Sequence, residues 1–175
     1  MATYKKGFKK QNSETVLLKI IIGIIIGVFV FVGVAFIYDA STQWKNYDYF
    51  TTITEYDELL EYTNGEDDVL DNYIVYIYGN SCENCVEIKN DVLKDGNKIN
   101  KDGEMFFIAN VDTMTDSETN LENFLDDIDC PTDEYGTPML VVVVDGEFYE
   151  YFIGASDVEE AVDSVRSGDY EPFNS

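Results

Sequence analysis

Residues Ile20 to Tyr38 read IIIGIIIGVFVFVGVAFIY, nineteen residues without a charge. A run of this length and composition suits a helix crossing the hydrocarbon core of a bilayer, and it exceeds what a small soluble core can bury on every side. It divides the chain. Residues 1–19 carry Lys5, Lys6, Lys9, Lys10 and Lys19 against Glu14 alone, a net charge of +4. Residues 39–175 hold 34 acids and six basic residues, a net charge of −28. Lysines flanking one end predict a cytoplasmic N-terminus, with the acidic part on the far side of the membrane. The rival reading is a cleaved secretory signal, which needs a shorter apolar core and small residues before the cut. Cleavage after Ala40 places bulky Tyr38 where a small residue is wanted, which favours an uncleaved anchor at 20–38.

So acidic a domain repels nucleic acid and anionic membrane surface, and it attracts basic polypeptides unless its acids form only a solvated surface. Three cysteines and no histidine exclude a histidine base or a His-ligated metal. No loop carries the acid spacing of a calcium-binding motif.

Residues 39–48 read as a juxtamembrane linker, with Trp44 and Tyr47 either at headgroup level or in a simple spacer. Beyond it the apolar periodicity alternates between strand and helix. Tyr49–Ile53 suits a short strand. Thr54 is positioned to cap a helix bearing Tyr56, Leu59 and Leu60 on one face and ending at Asn64-Gly65. Tyr73–Tyr78 is apolar on both faces, as a central covered strand requires. A helix follows from the cysteines to about Lys94, then a loop over 97–103 and a strand over 105–111. Leu121, Phe124, Leu125 and Ile128 repeat at helical spacing. Met139–Val144 is a third buried strand, Asp145-Gly146 signals a two-residue hairpin, and Phe148–Ile153 returns antiparallel. Val158, Ala161, Val162 and Val165 mark a last helix, and the chain closes in a frayed tail over 169–175. The order β-α-β-α-β-α-β-β-α predicts an α/β domain: a mixed, mostly parallel central sheet flanked by helices, with an antiparallel edge, behind one N-terminal transmembrane helix.

The chemistry concentrates at Cys82-Glu83-Asn84-Cys85, four residues after Tyr78. Two sulfurs on a first helical turn can close a small disulfide and exchange it with another thiol. In such an exchange Cys82, at the helix start, attacks, and Cys85, on the apolar stripe, resolves the mixed disulfide. Zinc sites and inert disulfides use the same spacing. A structural zinc commonly needs two such pairs, and here there is one pair plus distant Cys130.

The segment Tyr73–Cys85, the strand ending Asn110-Val111-Asp112, Thr137-Pro138, Asp145-Gly146-Glu147 and Gly154-Ala155 together resemble the thioredoxin family over residues 49–168. Ile53-Thr54-Glu55-Tyr56-Asp57-Glu58-Leu59-Leu60 and Ile-Val-Tyr-Ile resemble a subgroup, the membrane-anchored thioredoxin-like proteins of Gram-positive bacteria. The resemblance implies a thioredoxin-like fold, catalytic Cys82 and Cys85, and a cis Pro138 that with Thr137 binds an extended substrate segment. It implies tuning by Glu83 and Asn84, no cofactor and no metal. The partners it implies are exported cysteine-containing proteins and a membrane redox partner. The alternative is a thioredoxin-fold adaptor whose disulfide is structural.

Departures from that family accompany the match. Ser81 stands where cytosolic thioredoxins carry tryptophan. The family's buried acid falls at Tyr76 and its lysine at Ile108. Only 26 residues separate Asp112 from Pro138, too few for the helical insertion of periplasmic oxidases. Glu83, Glu87 and Asp91 on the first turns disfavour a Cys82 thiolate, so its pKa is expected nearer a free thiol than a strong oxidant's. Cys130 is either a further redox or intermolecular thiol or an unpaired small hydrophobe.

Overall fold

The computed structural model describes residues 13–63, 70–101, 103–114 and 118–174. The expected helix end at Asn64-Gly65 and the lysines at 5, 6, 9 and 10 lie outside them. The chain forms two compact units, Met1–Gln43 and Trp44–Ser175. The first is helix α1, Ser13–Thr42. Within it Val16–Tyr38, 23 residues, is long and apolar enough to cross a membrane. At 1.5 Å per residue it spans about 34 Å.

The second unit is built on a five-stranded sheet in the order β1-β3-β2-β4-β5. The strands are β1 (Thr52–Ile53), β2 (Tyr73–Tyr78), β3 (Phe106–Asn110), β4 (Met139–Val144) and β5 (Glu147–Ile153). Helices α2 (Glu83–Ile99), α3 (Glu118–Asp127) and α4 (Ala155–Ser167) complete it. Strands β1, β3 and β2 run parallel, β4 opposes β2, and β5 opposes β4. Four strands thus share one direction, and β4 alone opposes them. The antiparallel pairing therefore reaches inward to the central strand, beyond the hairpin edge where it was expected. The hairpin turns on Asp145 (φ 54°) and Gly146 (φ 75°), both left-handed as a two-residue turn of this twist requires.

Period-two alternation deals the strand side chains to two cores. Ile74, Tyr76, Tyr78, Phe106, Ile108, Leu140 and Val142 face one core with α2 and α4 residues Cys85, Ile88, Val92, Val158 and Val162. Tyr73, Val75, Ile77, Phe107, Ala109, Met139 and Val141 face the other with Phe124, Leu125 and Ile128. The two central strands are buried on both faces, as their uninterrupted apolar sequences require.

Four local expectations are corrected. The helix foreseen from Thr54 is a single 3-10 turn, Tyr56–Leu59, preceded by Glu55 as its N-cap. Its continuation is diverted: the Tyr73 hydroxyl donates to the Leu59 carbonyl (3.3 Å) and accepts from the Tyr62 N–H (3.1 Å), groups an α-helix would use itself. The first strand keeps only Thr52–Ile53, because Tyr47–Tyr49 coils into another 3-10 turn. Trp44 and Tyr47 pack against the α2/α4 core, Tyr47 stacking on Tyr78 with ring centres 3.7 Å apart. The tail is ordered too: Tyr170 is buried, its hydroxyl donates to the Glu150 carboxylate, and Glu171–Asn174 forms a 3-10 turn.

The fourth correction lengthens α2, which runs to Ile99 through Asp95-Gly96-Asn97. Gly96 is a contact residue: a Cβ there would lie 2.6 Å from Cδ1 and Cε1 of Phe106. The helix lies against β3 at a distance only glycine permits. Asn100 then closes the turn, its amide accepting from Met105 N–H (3.0 Å) and Phe106 N–H (2.7 Å) and donating to the Phe106 carbonyl (2.9 Å).

Candidate active site

Strand β2 ends against Gly79, a buried glycine whose missing side chain leaves room for its neighbours. A Cβ at Gly79 would stand 3.3 Å from Val111 Cγ2, 3.5 Å from Asp112 Oδ2 and 3.6 Å from Thr137 Oγ1. The chain then turns, Cys82 N–H donating to the Gly79 carbonyl at 3.3 Å. Cys82 takes the extended conformation of a helix N-cap, and its Sγ accepts from the Cys85 N–H at 3.0 Å. One helical turn later Cys85 points into the core at 1% exposure, whereas Cys82 is half-buried. The two form a disulfide with Cα atoms 5.2 Å apart.

From the other side comes the segment before β4. The Thr137–Pro138 peptide is cis. The Thr137 carbonyl oxygen lies 3.2 Å from Cys82 Sγ. Pro138 is buried, and its carbonyl accepts from Gly154 N–H (2.9 Å), which ties the start of α4 to the same place. The fold therefore brings Cys82, Cys85, Thr137 and Pro138 together from positions over fifty residues apart. Glu83 and Asn84 lie exposed on the first turn of α2, and Glu87 and Asp91 follow on its exposed side.

Three residues that sequence reasoning gave no role hold the turn before Cys82. The Asp112 carboxylate accepts from Asn80 N–H (2.5 Å). The Asn110 side chain donates to Asn80 Oδ1 (3.1 Å) and accepts from Asp112 N–H (3.0 Å). Asn110 is a buried polar residue at the end of an apolar strand, which was the available signal: a buried amide needs partners.

Beneath the disulfide core lies an aromatic layer. Tyr76 and Ile108 are register partners on β2 and β3, both buried. Burial pushes the Tyr47 phenol up to about 12, and it raises Tyr76 and Tyr78 as well. Those phenols stay protonated at physiological pH. The Lys89 ammonium sits over the Tyr47 ring, 4.1 Å from its centre, a cation–π contact.

Cys130 is buried in the other core, across the sheet from Cys85. Its thiol donates to the Pro131 carbonyl at 3.7 Å, and its nearness raises the pKa of the Tyr151 phenol. Burial on the opposite face separates it from exchange with Cys82 or Cys85. Among the described residues no group of three or more Cys, Asp or Glu side chains is arranged to hold a metal ion.

A parallel β-α-β unit, an antiparallel β-hairpin and a helix follow in that order, with a CxxC at the first helix and a cis-proline at the hairpin. The fold is thioredoxin-like. Among solved structures the chain is similar to thioredoxins. The oxidised mitochondrial thioredoxin 3 of Saccharomyces cerevisiae is 17% identical, with a TM-score of 0.47, over 70% of this chain and 97% of that one. Thioredoxin f2 of Chlamydomonas reinhardtii is 15% identical at 0.47, over 70% and 98%. The thioredoxin of Fasciola hepatica is 18% identical at 0.45, over 65% and 96%. The strand order and register described above, rather than these scores, carry the fold assignment. No family model matches the sequence, and no curated protein matches it.

Proposed function

We propose that this chain is a membrane-anchored thiol–disulfide oxidoreductase acting on exported proteins. The observation that carries the reading is the asymmetry of the pair: a half-buried Cys82 at a helix N-terminus, joined to a fully buried Cys85, beside the Thr137 carbonyl. Such a pair supports a two-step exchange. In the reduced protein the Cys82 thiolate attacks one sulfur of a substrate disulfide, forming a mixed disulfide and releasing the other substrate sulfur as thiolate. Cys85 loses its proton and attacks Cys82 Sγ, which closes the intramolecular disulfide and frees the second substrate thiol. Two electrons and two protons pass to the substrate, and the reverse sequence oxidises a substrate dithiol.

The Cys85 N–H and the positive end of α2 favour a Cys82 thiolate; the acids on the first turns oppose it. In this reading Thr137 and Pro138 receive the extended substrate backbone, and Glu83 and Asn84 tune the pair. Val16–Tyr38 anchors the protein with its N-terminus inside, as in the membrane-anchored thioredoxin-like proteins of Gram-positive bacteria. A membrane redox partner then resets the pair, and nucleic acid is not a ligand.

Cys85→Ala tests the reading. An exchanging protein then accumulates mixed disulfides through Cys82, released by dithiothreitol and absent in Cys82→Ala/Cys85→Ala. An adaptor with a structural disulfide traps nothing and keeps its partner.

A further inference from the structure

The segments that converge on Cys82 carry charge of one sign only. Residues 79–88, 110–112 and 137–138 contain no Lys or Arg. They contain Glu83, Glu87 and Asp112, all exposed. Asp112 is tied to the active turn through Asn80 N–H. Glu83 and Glu87 stand on the first two turns of the helix that Cys82 caps. Among them Val86, the residue after Cys85, leaves a large apolar side chain 66% exposed. The nearest basic group on α2, Lys89, is turned onto Tyr47.

We infer that the site selects substrate cysteines carried in basic segments with apolar neighbours. The inference rests on the proposed exchange reaction and names the substrate class for it. The disulfide fixes where the substrate sulfur must arrive, and the acids set the field through which it approaches. An acidic segment meets like charge on the helix that Cys82 caps and at Asp112. A Lys- or Arg-bearing one is drawn in, and its apolar residue can cover Val86. Steering of this kind changes association rates by about 10-fold to 1,000-fold at low salt and fades as the Debye length shrinks to about 3 Å at 1 M.

The test uses the full chain, reduced, in a non-ionic detergent. Two peptides carry the same central cysteine as a mixed disulfide with 2-mercaptoethanol, one flanked by lysines and one by glutamates. Bis(2-hydroxyethyl) disulfide is the neutral reference. The expected result is a lysine-to-glutamate rate ratio of at least about 10 at low salt, falling to within about 2-fold of unity at 1 M salt. Glu83→Lys/Glu87→Lys should collapse the ratio at low salt; any change in Cys82 nucleophilicity acts on both peptides and cancels. Glu61→Lys/Glu147→Lys is the control. Those residues line a cavity of about 440 Å³ at the hairpin end of the sheet, some 20 Å along β4 from Pro138 at about 3.4 Å per residue. This pair should leave the ratio within about 2-fold. A ratio near unity with the neutral disulfide consumed overturns the inference and spares the exchange reaction. So does a control pair as effective as the Glu83→Lys/Glu87→Lys pair. Failure to consume the neutral disulfide overturns both.

Discussion

Gly96→Ala is the substitution by which the packing of α2 can be tested most sharply. In an exposed helix the change stabilises by up to about 1 kcal/mol, because alanine is the better helix former. Here the new methyl meets Phe106 Cδ1 and Cε1 at 2.6 Å and Cγ at 2.8 Å, roughly 1 Å inside ordinary carbon–carbon contact. The ring cannot simply swing away. Phe106 is fully buried, Phe50 lies edge-on to it at 5.2 Å, and Asn100 holds its backbone on both sides. Overpacking of this kind costs about 1–3 kcal/mol, so the net expectation is a loss of about 1–2 kcal/mol. Urea unfolding of the full chain in non-ionic detergent, followed by Trp44 fluorescence, measures it. The second arm is Phe106→Leu, which costs stability alone but should make room for the methyl that Gly96→Ala adds. The double variant should be less destabilised than the sum, with a coupling of at least about 1 kcal/mol. A Gly96→Ala protein as stable as the parent, or additive losses in the double variant, would refute the close approach of α2 to β3.

Three further outcomes are expected. Alkylation of reduced protein by iodoacetamide should report a Cys82 pKa near a free thiol's; a midpoint below about 5 contradicts the reading of the acidic first turns. Asn100→Ala leaves the Met105 and Phe106 backbone groups without their partner and should cost about 2–3 kcal/mol in the same urea assay, against near-neutral loss if the loop is incidental. The Tyr73 phenol is buried and pushed up to about 12. The folded state therefore keeps a proton that the unfolded chain gives up near pH 10, and stability is full below 10 and falls as pH rises through 12. Tyr73→Phe should make that fall shallower by up to about 1.4 kcal/mol per pH unit, while an unchanged slope refutes the burial of this hydroxyl.

Much of this fold is legible in the sequence because the signals are local. The run Tyr73–Tyr78 declares a strand covered on both faces, Asp145-Gly146 declares a hairpin, and the i, i+3, i+4 stripes declare α3 and α4. The misses share one cause, long-range partners that no local pattern announces. Asp95-Gly96-Asn97 reads as a helix stop until Phe106 is seen against Gly96. The turn at Tyr56–Leu59 stops because Tyr73, fourteen residues on from Leu59, takes its hydrogen bonds. The tail is held by Glu150 on β5. At the site, the cysteines and Thr137-Pro138 were visible as motifs. The Asn80–Asn110–Asp112 bonds were not, since they join a turn to a strand end thirty residues away.

The central claim is that the Cys82–Cys85 disulfide is exchangeable in the native protein, and its reduction potential tests this most directly. In a glutathione redox titration of the full chain, the account predicts a single two-electron transition with a midpoint between about −120 and −270 mV, the range of catalytic dithiols. A disulfide that stays closed until potentials below about −300 mV, as structural disulfides do, would contradict it.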